Sequence, residues 1–331
     1  MVVVGPVYIA EVSTKELRGT LGAGVQLGIT VGILLAYVLG TLLTWQHLAL
    51  LSAFFAVVQL LQSTRIPETP RYLLMRDRKQ EALQSLAWLR GPVADIDEEC
   101  RDIEENLPDK NDKFRLDDLL SQHQLLAPLK VSVGLSIFQQ LTGINAVMFF
   151  TVSIFNGAGF ENGERATIVV GLVQVVFTVV ACLLIDKYGR RLLLLTAGVG
   201  MASSCFGLGF YYYVADPTLA WLALTSVVFY IIFFSLGWGP IPMLVMSEVF
   251  PVKARGAASA ISTGFAWSAS FLLTSQFHVL QTELGPDGTF CLFGVFCLVG
   301  TAFVFRMVPE TKGKSLEDIE LYFLGRATMR R

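Results

Sequence analysis

Apolar and polar positions along this chain separate into long blocks, unlike the short alternations of a soluble fold. Eight apolar runs, at about 20–42, 46–65, 128–156, 165–185, 191–214, 219–247, 256–280 and 288–308, are each long enough to cross a bilayer, because about 20 helical residues span its ~30 Å of hydrocarbon. Backbone groups in lipid must satisfy one another, so these runs predict transmembrane helices. A ninth apolar stretch, residues 1–10, is too short to cross and reads as a stub.

Composition supports the same picture. The 331 residues are 53% hydrophobic and 16% charged, with a mean hydropathy of +0.58, outside the range of ordinary soluble chains. Charge crowds between roughly 66 and 118, where Arg76-Asp77-Arg78-Lys79-Gln80-Glu81 leads into Leu83, Leu86 and Leu89; this predicts short amphipathic helices outside the membrane. Threading the spans puts 24 of the 25 Lys and Arg on one side and leaves Arg165 alone on the other. The basic side is the cytoplasmic one. The expected divisions are an N-terminal helical portion (1–65), a cytoplasmic helical linker (66–127), a six-helix unit (128–308) and a cytoplasmic tail (309–331). Scattered basic residues explained by topology give no sign of nucleic-acid binding. Cys100 is cytoplasmic, and Cys182, Cys205, Cys291 and Cys297 fall inside spans, without metal-ligand spacing and in settings that disfavour disulfides. The histidines, His47, His123 and His278, are far apart. With no nucleophile–base pair, an enzyme has no support, and neither metal nor cofactor is expected.

Two motifs recur at nearly one offset. Glu11…Arg18-Gly19 returns as Glu248…Arg255-Gly256, 237 residues on, and Pro67-Glu68-Thr69 returns as Pro309-Glu310-Thr311, 242 residues on. Such recurrence marks a duplicated unit. Asp186…Gly189-Arg190-Arg191 occurs once, and its counterpart would lie before Met1, so the first repeat reads as lacking its beginning. If helical, each acid and the Arg seven residues later share a face, and Gly19 and Gly256 permit close backbone approach. The repeated charges read as a conformational latch: single pairs are worth ~0–1 kcal/mol, yet a network biases two states that differ by a few kcal/mol.

These motifs, with Pro67-Glu68-Thr69-Pro70-Arg71, Gln139-Gln140-Leu141-Thr142-Gly143-Ile144-Asn145, Gly239-Pro240-Ile241-Pro242 and Pro309-Glu310-Thr311-Lys312-Gly313, resemble the sugar-porter branch of the major facilitator superfamily. Within it the chain looks like the facilitative hexose transporters, and most like their class III members. The resemblance implies an all-α membrane fold of two six-helix halves with sugar bound between them. The chain would then hold part of the fourth helix plus helices five to twelve, without the first three. Glu11, Arg18, Arg71, Asp186, Arg190, Arg191, Glu248 and Arg255 become candidates for the latch. Pro240 and Pro242, which remove backbone donors inside the sixth span, become candidates for a hinge.

Polar residues inside a helical bundle are functional suspects, and amides suit a neutral polyol because they donate and accept without charge. Gln26, Gln139, Gln140, Asn145 and Gln174 form that set. By resemblance, Gln26, Gln139, Gln140 and Asn145 fall on the family's sugar-binding amides, and Gln174 keeps an amide where many relatives carry Asn. On an unbroken helix Asn145 lies about 240° around from Gln139, so a kink at Thr142-Gly143 is expected. Trp267 offers an apolar contact to a sugar face. Met243 stands where the family usually has Trp, Ala266 where it usually has Asn, and Phe149-Phe150 replace a tyrosine pair. These departures leave glucose, fructose, another hexose and a disaccharide open.

No Asp, Glu, Lys or Arg sits mid-span, and Ser235 takes the place of a family Glu, so facilitated diffusion by a uniporter is expected over proton coupling. The expected partners are a small sugar and membrane lipid. With an incomplete first half, either the sequence is a fragment of a longer transporter or the missing wall comes from another chain. The alternative is a truncated, non-transporting form that pairs with or regulates a full-length transporter; a homo-oligomer is also open. The plasma membrane and the endolysosomal membrane are both open as its location.

Overall fold

The computed structural model describes residues 4–14, 17–91, 95–105, 123–148, 151, 163–314 and 318–323. Phe149-Phe150 and the side chain of Arg18 lie outside that set. The described chain is all helical. A short α1 (Val4–Val12) leads to α2 (Arg18–Gly40) and α3 (Trp45–Ser63); α4 (Pro70–Met75), α5 (Lys79–Arg90) and α6 (Ile96–Glu105) follow. Beyond them come α7 (His123–Leu141), α8 (Gly163–Tyr188), α9 (Arg190–Val214), α10 (Ala220–Phe233), a π turn (Phe234–Trp238), α11 (Ile241–Glu248) and α12 (Val252–Met307). Among the described residues, seven helical stretches are long and apolar enough to cross a membrane.

The seventh, Ala254–Met307, has 54 residues, about 80 Å of helix and more than twice the hydrocarbon thickness. It breaks at Gly285, where φ is 73° and ψ 163°. Pro286 explains the break, since its ring excludes the preceding residue from helical angles and it has no N–H to donate. The two pieces match the expected spans at 256–280 and 288–308.

Tertiary packing is dense after α7. Helix α9 lies along α12 and α10, α7 lies along α12, and α2 runs along α8. Trp238, Phe277, Phe290 and Phe293 are fully buried at the centre. The rings of Phe277 and Phe293 stack at 6.3 Å, and Phe290 meets Phe293 edge-on at 6.2 Å. The Trp238 indole donates to the Leu194 carbonyl at 3.1 Å. Helix α3, by contrast, buries no residue.

Helices α4 to α6 form a separate small bundle around Leu73, Leu74, Ala82, Leu86 and Cys100. Its start is locally dictated: Thr69 accepts the Tyr72 N–H at 3.2 Å and Pro70 occupies the first turn, the position where a missing N–H costs nothing. Arg90 donates to the Val12 carbonyl at 2.9 Å and pairs with Glu99 at 2.7 Å, tying the bundle to α1. Because this core is its own, Leu86→Ala should cost about 2–5 kcal/mol locally. Hydrogen exchange should accelerate across 70–105 while α9 and α12 stay protected.

Candidate functional site

Pro242 decides the centre of the bundle. A helical carbonyl at Trp238 would accept from the N–H four residues on, and that residue is Pro242, which has none. The chain widens into the π turn, where Gly239 N–H reaches back to Phe234 O at 2.7 Å, and the Trp238 carbonyl is left to be satisfied from outside. Gln139 on α7 does so, donating from Nε2 to Trp238 O at 2.6 Å and to Gly239 O at 3.2 Å.

From Gln139 the amides run on. Gln140 Nε2 donates to Gln139 Oε1 at 3.4 Å, and Asn145 Nδ2 donates to Gln140 Oε1 at 2.6 Å and to Ser270 Oγ at 2.7 Å. Asn145 reaches this line because α7 ends at Leu141 and the chain turns through Thr142 and Gly143 before helix resumes over 144–148. Gly143 has φ 89°, and a Cβ there would lie 2.6 Å from the Phe293 ring, so the turn requires glycine. Thr142 Oγ1 donates to the Gln139 carbonyl at 2.7 Å, and the Tyr230 hydroxyl donates to the Thr142 carbonyl at 3.0 Å, securing both sides of the break. The expected kink is there, and Gln139, Gln140 and Asn145 are joined across it by hydrogen bonds.

Gln26 approaches from α2; its amide nitrogen lies 3.6 Å from where a Cβ on Gly239 would stand. Gln174 on α8 is only 2% exposed, and its Oε1 has no hydrogen-bond partner among the described residues. It is not part of the amide line. Trp267 is 61% exposed, one turn before Ser270. Ser270 was not among the sequence candidates; a serine inside an apolar span gives no signal apart from its partner on another helix.

The repeated charges gather at one end of the bundle. Among the described side chains, ion pairs form between the motifs. Glu11 Oε1 pairs with Arg255 NH1 of the other repeat at 3.3 Å. Glu248 pairs with Arg190 at 3.1 Å, and Arg190 also holds Asp186 at 3.1 Å. The continuous helix on which a shared face depended is not formed in either repeat, because α1 ends at Val12 and Pro251 separates α11 from α12. The Pro-Glu-Thr repeats close the arrangement symmetrically. Thr69 donates to Glu11 Oε2 and Thr311 to Glu248 Oε2, each at 2.7 Å. Glu310 accepts the backbone N–H groups of Arg190 and Arg191, both at 3.0 Å, an acid placed at a helix N-terminus where the dipole favours it. Arg191 also donates to Phe305 O at 2.5 Å. Arg71 stands half-buried in the first turn of α4.

The Sugar (and other) transporter family matches residues 1–323. The chain belongs to that family. It is 43% identical over 330 residues to the facilitated trehalose transporter Tret1 of Drosophila pseudoobscura pseudoobscura, covering 97% of this chain and 38% of that protein. The chain therefore spans about two fifths of the length of the relatives it matches, and these are trehalose transporters, not class III glucose transporters specifically. Its fold matches that of XylE, a major facilitator proton:xylose symporter, bound to 6-bromo-6-deoxy-D-glucose, with a TM-score of 0.85 and 28% identity over 97% of this chain and 70% of that one. Against the inward-open structure of XylE from E. coli the TM-score is 0.68, at 28% identity over 96% of this chain and 68% of that one. The chain is thus an all-α, multi-pass integral membrane protein with a partial major facilitator fold.

The sugar-transporter repeat treats its two glycines differently. A Cβ on Gly19 would overlap the Asp186 carboxylate, whereas one on Gly256 would meet nothing within 4 Å, so close approach is required in the first repeat alone. Gly19→Ala should cost about 1–3 kcal/mol by overpacking, seen as a lower Tm in detergent. Gly256→Ala should leave Tm unchanged.

Proposed function

We propose that this chain supplies the sugar-binding face and the cytoplasmic latch of a facilitative sugar transporter working by alternating access. The observation that carries this is the amide line Gln139–Gln140–Asn145–Ser270 at a helix break. Broken helices at the junction of repeats are where transporters of this architecture bind substrate. Each link in the line is an internal hydrogen bond that a sugar hydroxyl, both donor and acceptor, can replace without leaving an orphan. Gln26 borders the line, the Gln174 carbonyl lacks a partner among the described residues, and Trp267 offers a ring for the apolar face of a pyranose. Four or five exchanged contacts at a net ~0.5–1.5 kcal/mol each, less the cost of association, give a millimolar-range site near −4 kcal/mol, loose enough to release its cargo. A neutral hexose is the substrate class we favour, moved downhill as by a uniporter, in the plasma membrane or an endolysosomal membrane. The trehalose named for its relatives makes a disaccharide the first competitor.

Uptake of labelled glucose, fructose and trehalose by transport-deficient cells tests this reading. Saturable uptake should fall about tenfold in Gln140→Ala at equal surface protein, for the loss of one or two such contacts. No uptake from protein folded at the surface overturns it.

One observation favours a second reading. Helix α3 buries nothing, and Gly24, Gly28 and Gly32 on α2 have no atom within 4 Å of where a Cβ would stand, so the N-terminal wall is open in this chain. Pairing with a full-length relative or a second copy would close it. Absence of uptake, together with co-purification of a co-expressed relative, would support this reading.

For the latch, Pro240 and Pro242 lie at the junction of the π turn and α11, the place for a hinge, and Glu11–Arg255 joins the two repeats. Glu11→Gln should weaken that junction. Labelling of buried Cys182, whose carbonyl accepts from Thr20 at the latch end, by a cytoplasmic thiol reagent should become several-fold faster.

A further inference from the structure

Outside the amide site, the most chemically specific hollow lies where α3 leaves the membrane. It is lined by Arg65, Glu68, Arg78 just before α5 and, from α5, Glu81, Gln84 and Trp88, and holds about 340 Å³. Helix α3 has 19 residues, about 28 Å of rise, so Arg65 stands at the depth of the lipid headgroups. Two of the lining charges neutralise each other: Arg78 grips Glu81 through Nε and NH2 at 2.7 and 2.5 Å. Two do not. The Arg65 guanidinium and the Glu68 carboxylate make no hydrogen bond or ion pair among the described residues. Trp88 faces the same hollow and is 65% exposed, and Leu60 and Leu61, the last large apolar residues of α3 before it, are 67% and 65% exposed.

We propose that this hollow binds the headgroup of a zwitterionic phospholipid, its phosphate on Arg65 and its amine between Glu68 and the Trp88 ring. The two charges without a hydrogen bond or ion pair among the described residues are one of each sign, with Glu68 also within electrostatic reach of Arg78, which suits a phosphodiester carrying an ammonium and not a purely anionic head. Arginine is the natural partner for phosphate, and a substituted ammonium is drawn to the face of an indole. The exposed leucines of α3 continue the hollow into the hydrocarbon, where acyl chains would lie, and tryptophan belongs at this depth. Lipid held here touches both α3 and the cytoplasmic bundle, so it would brace the linker against the membrane.

Native mass spectrometry of the full chain released from nanodiscs of phosphatidylcholine or phosphatidylethanolamine tests the site. The wild type should retain one lipid that Arg65→Gln, Glu68→Gln and Trp88→Ala each bind about tenfold more weakly. Trp221→Phe, an exposed residue on a different helix, serves as the control and should retain lipid as the wild type does. All four positions are exposed, and circular dichroism checks that each variant is folded. Equal retention by wild type and the three variants overturns the proposal. So does tighter retention of phosphatidylglycerol, which would leave Glu68 without a role. Displacement of the lipid by millimolar inorganic phosphate or phosphocholine would identify a soluble phosphate site and overturn the lipid assignment.

Discussion

A backbone carbonyl that its own helix cannot satisfy organises the middle of this molecule. Water and lipid set the terms: in hydrocarbon an unpaired carbonyl costs several kcal/mol, so the group exposed by Pro242 must be met by a neighbour. Gln139 meets it, and that bond fixes α7 against the π turn. Once Gln139 is committed through its nitrogen, its oxygen faces Gln140, and the line of amides follows to Asn145 and Ser270. A proline that weakens one helix thereby places polar groups of another in register.

The same desolvation logic governs the end where the repeated charges gather. Arg190 and Glu248 are 3% and 2% exposed, and charges so buried persist only when paired and hydrogen-bonded. Asp186, Thr311 and the backbone of α9 supply those bonds around them. The Glu11–Arg255 pair is of a different kind, since it joins segments 244 residues apart. Breaking it leaves each repeat internally intact. A network in which one ion pair joins the two repeats is suited to opening along that seam.

Much of this was legible in the chain. The spans follow from runs of apolar residues, since length against bilayer thickness is a local property. The break after α7 was legible too, because Thr142-Gly143 between Gln139 and Asn145 was the only local way to bring the amides to one side. Pro286 likewise announces the division of the long C-terminal helix. Ser270 and the Thr69 and Thr311 hydroxyls were not legible, since a hydroxyl in a motif carries no mark of which distant acid or amide it will meet.

The sequence by itself determined that this is a duplicated, multi-pass membrane protein with a set of intramembrane amides and a repeated charge motif. Those features rest on hydropathy, spacing and backbone chemistry, which act between near neighbours. Tertiary structure alone decided the partners. Glu11 meets Arg255 of the other repeat, Gly19 proved obligatory where Gly256 did not, and Gln139 was directed to a carbonyl about 100 residues away. Each of those choices depends on which helix stands opposite in the bundle, and no local rule fixes that.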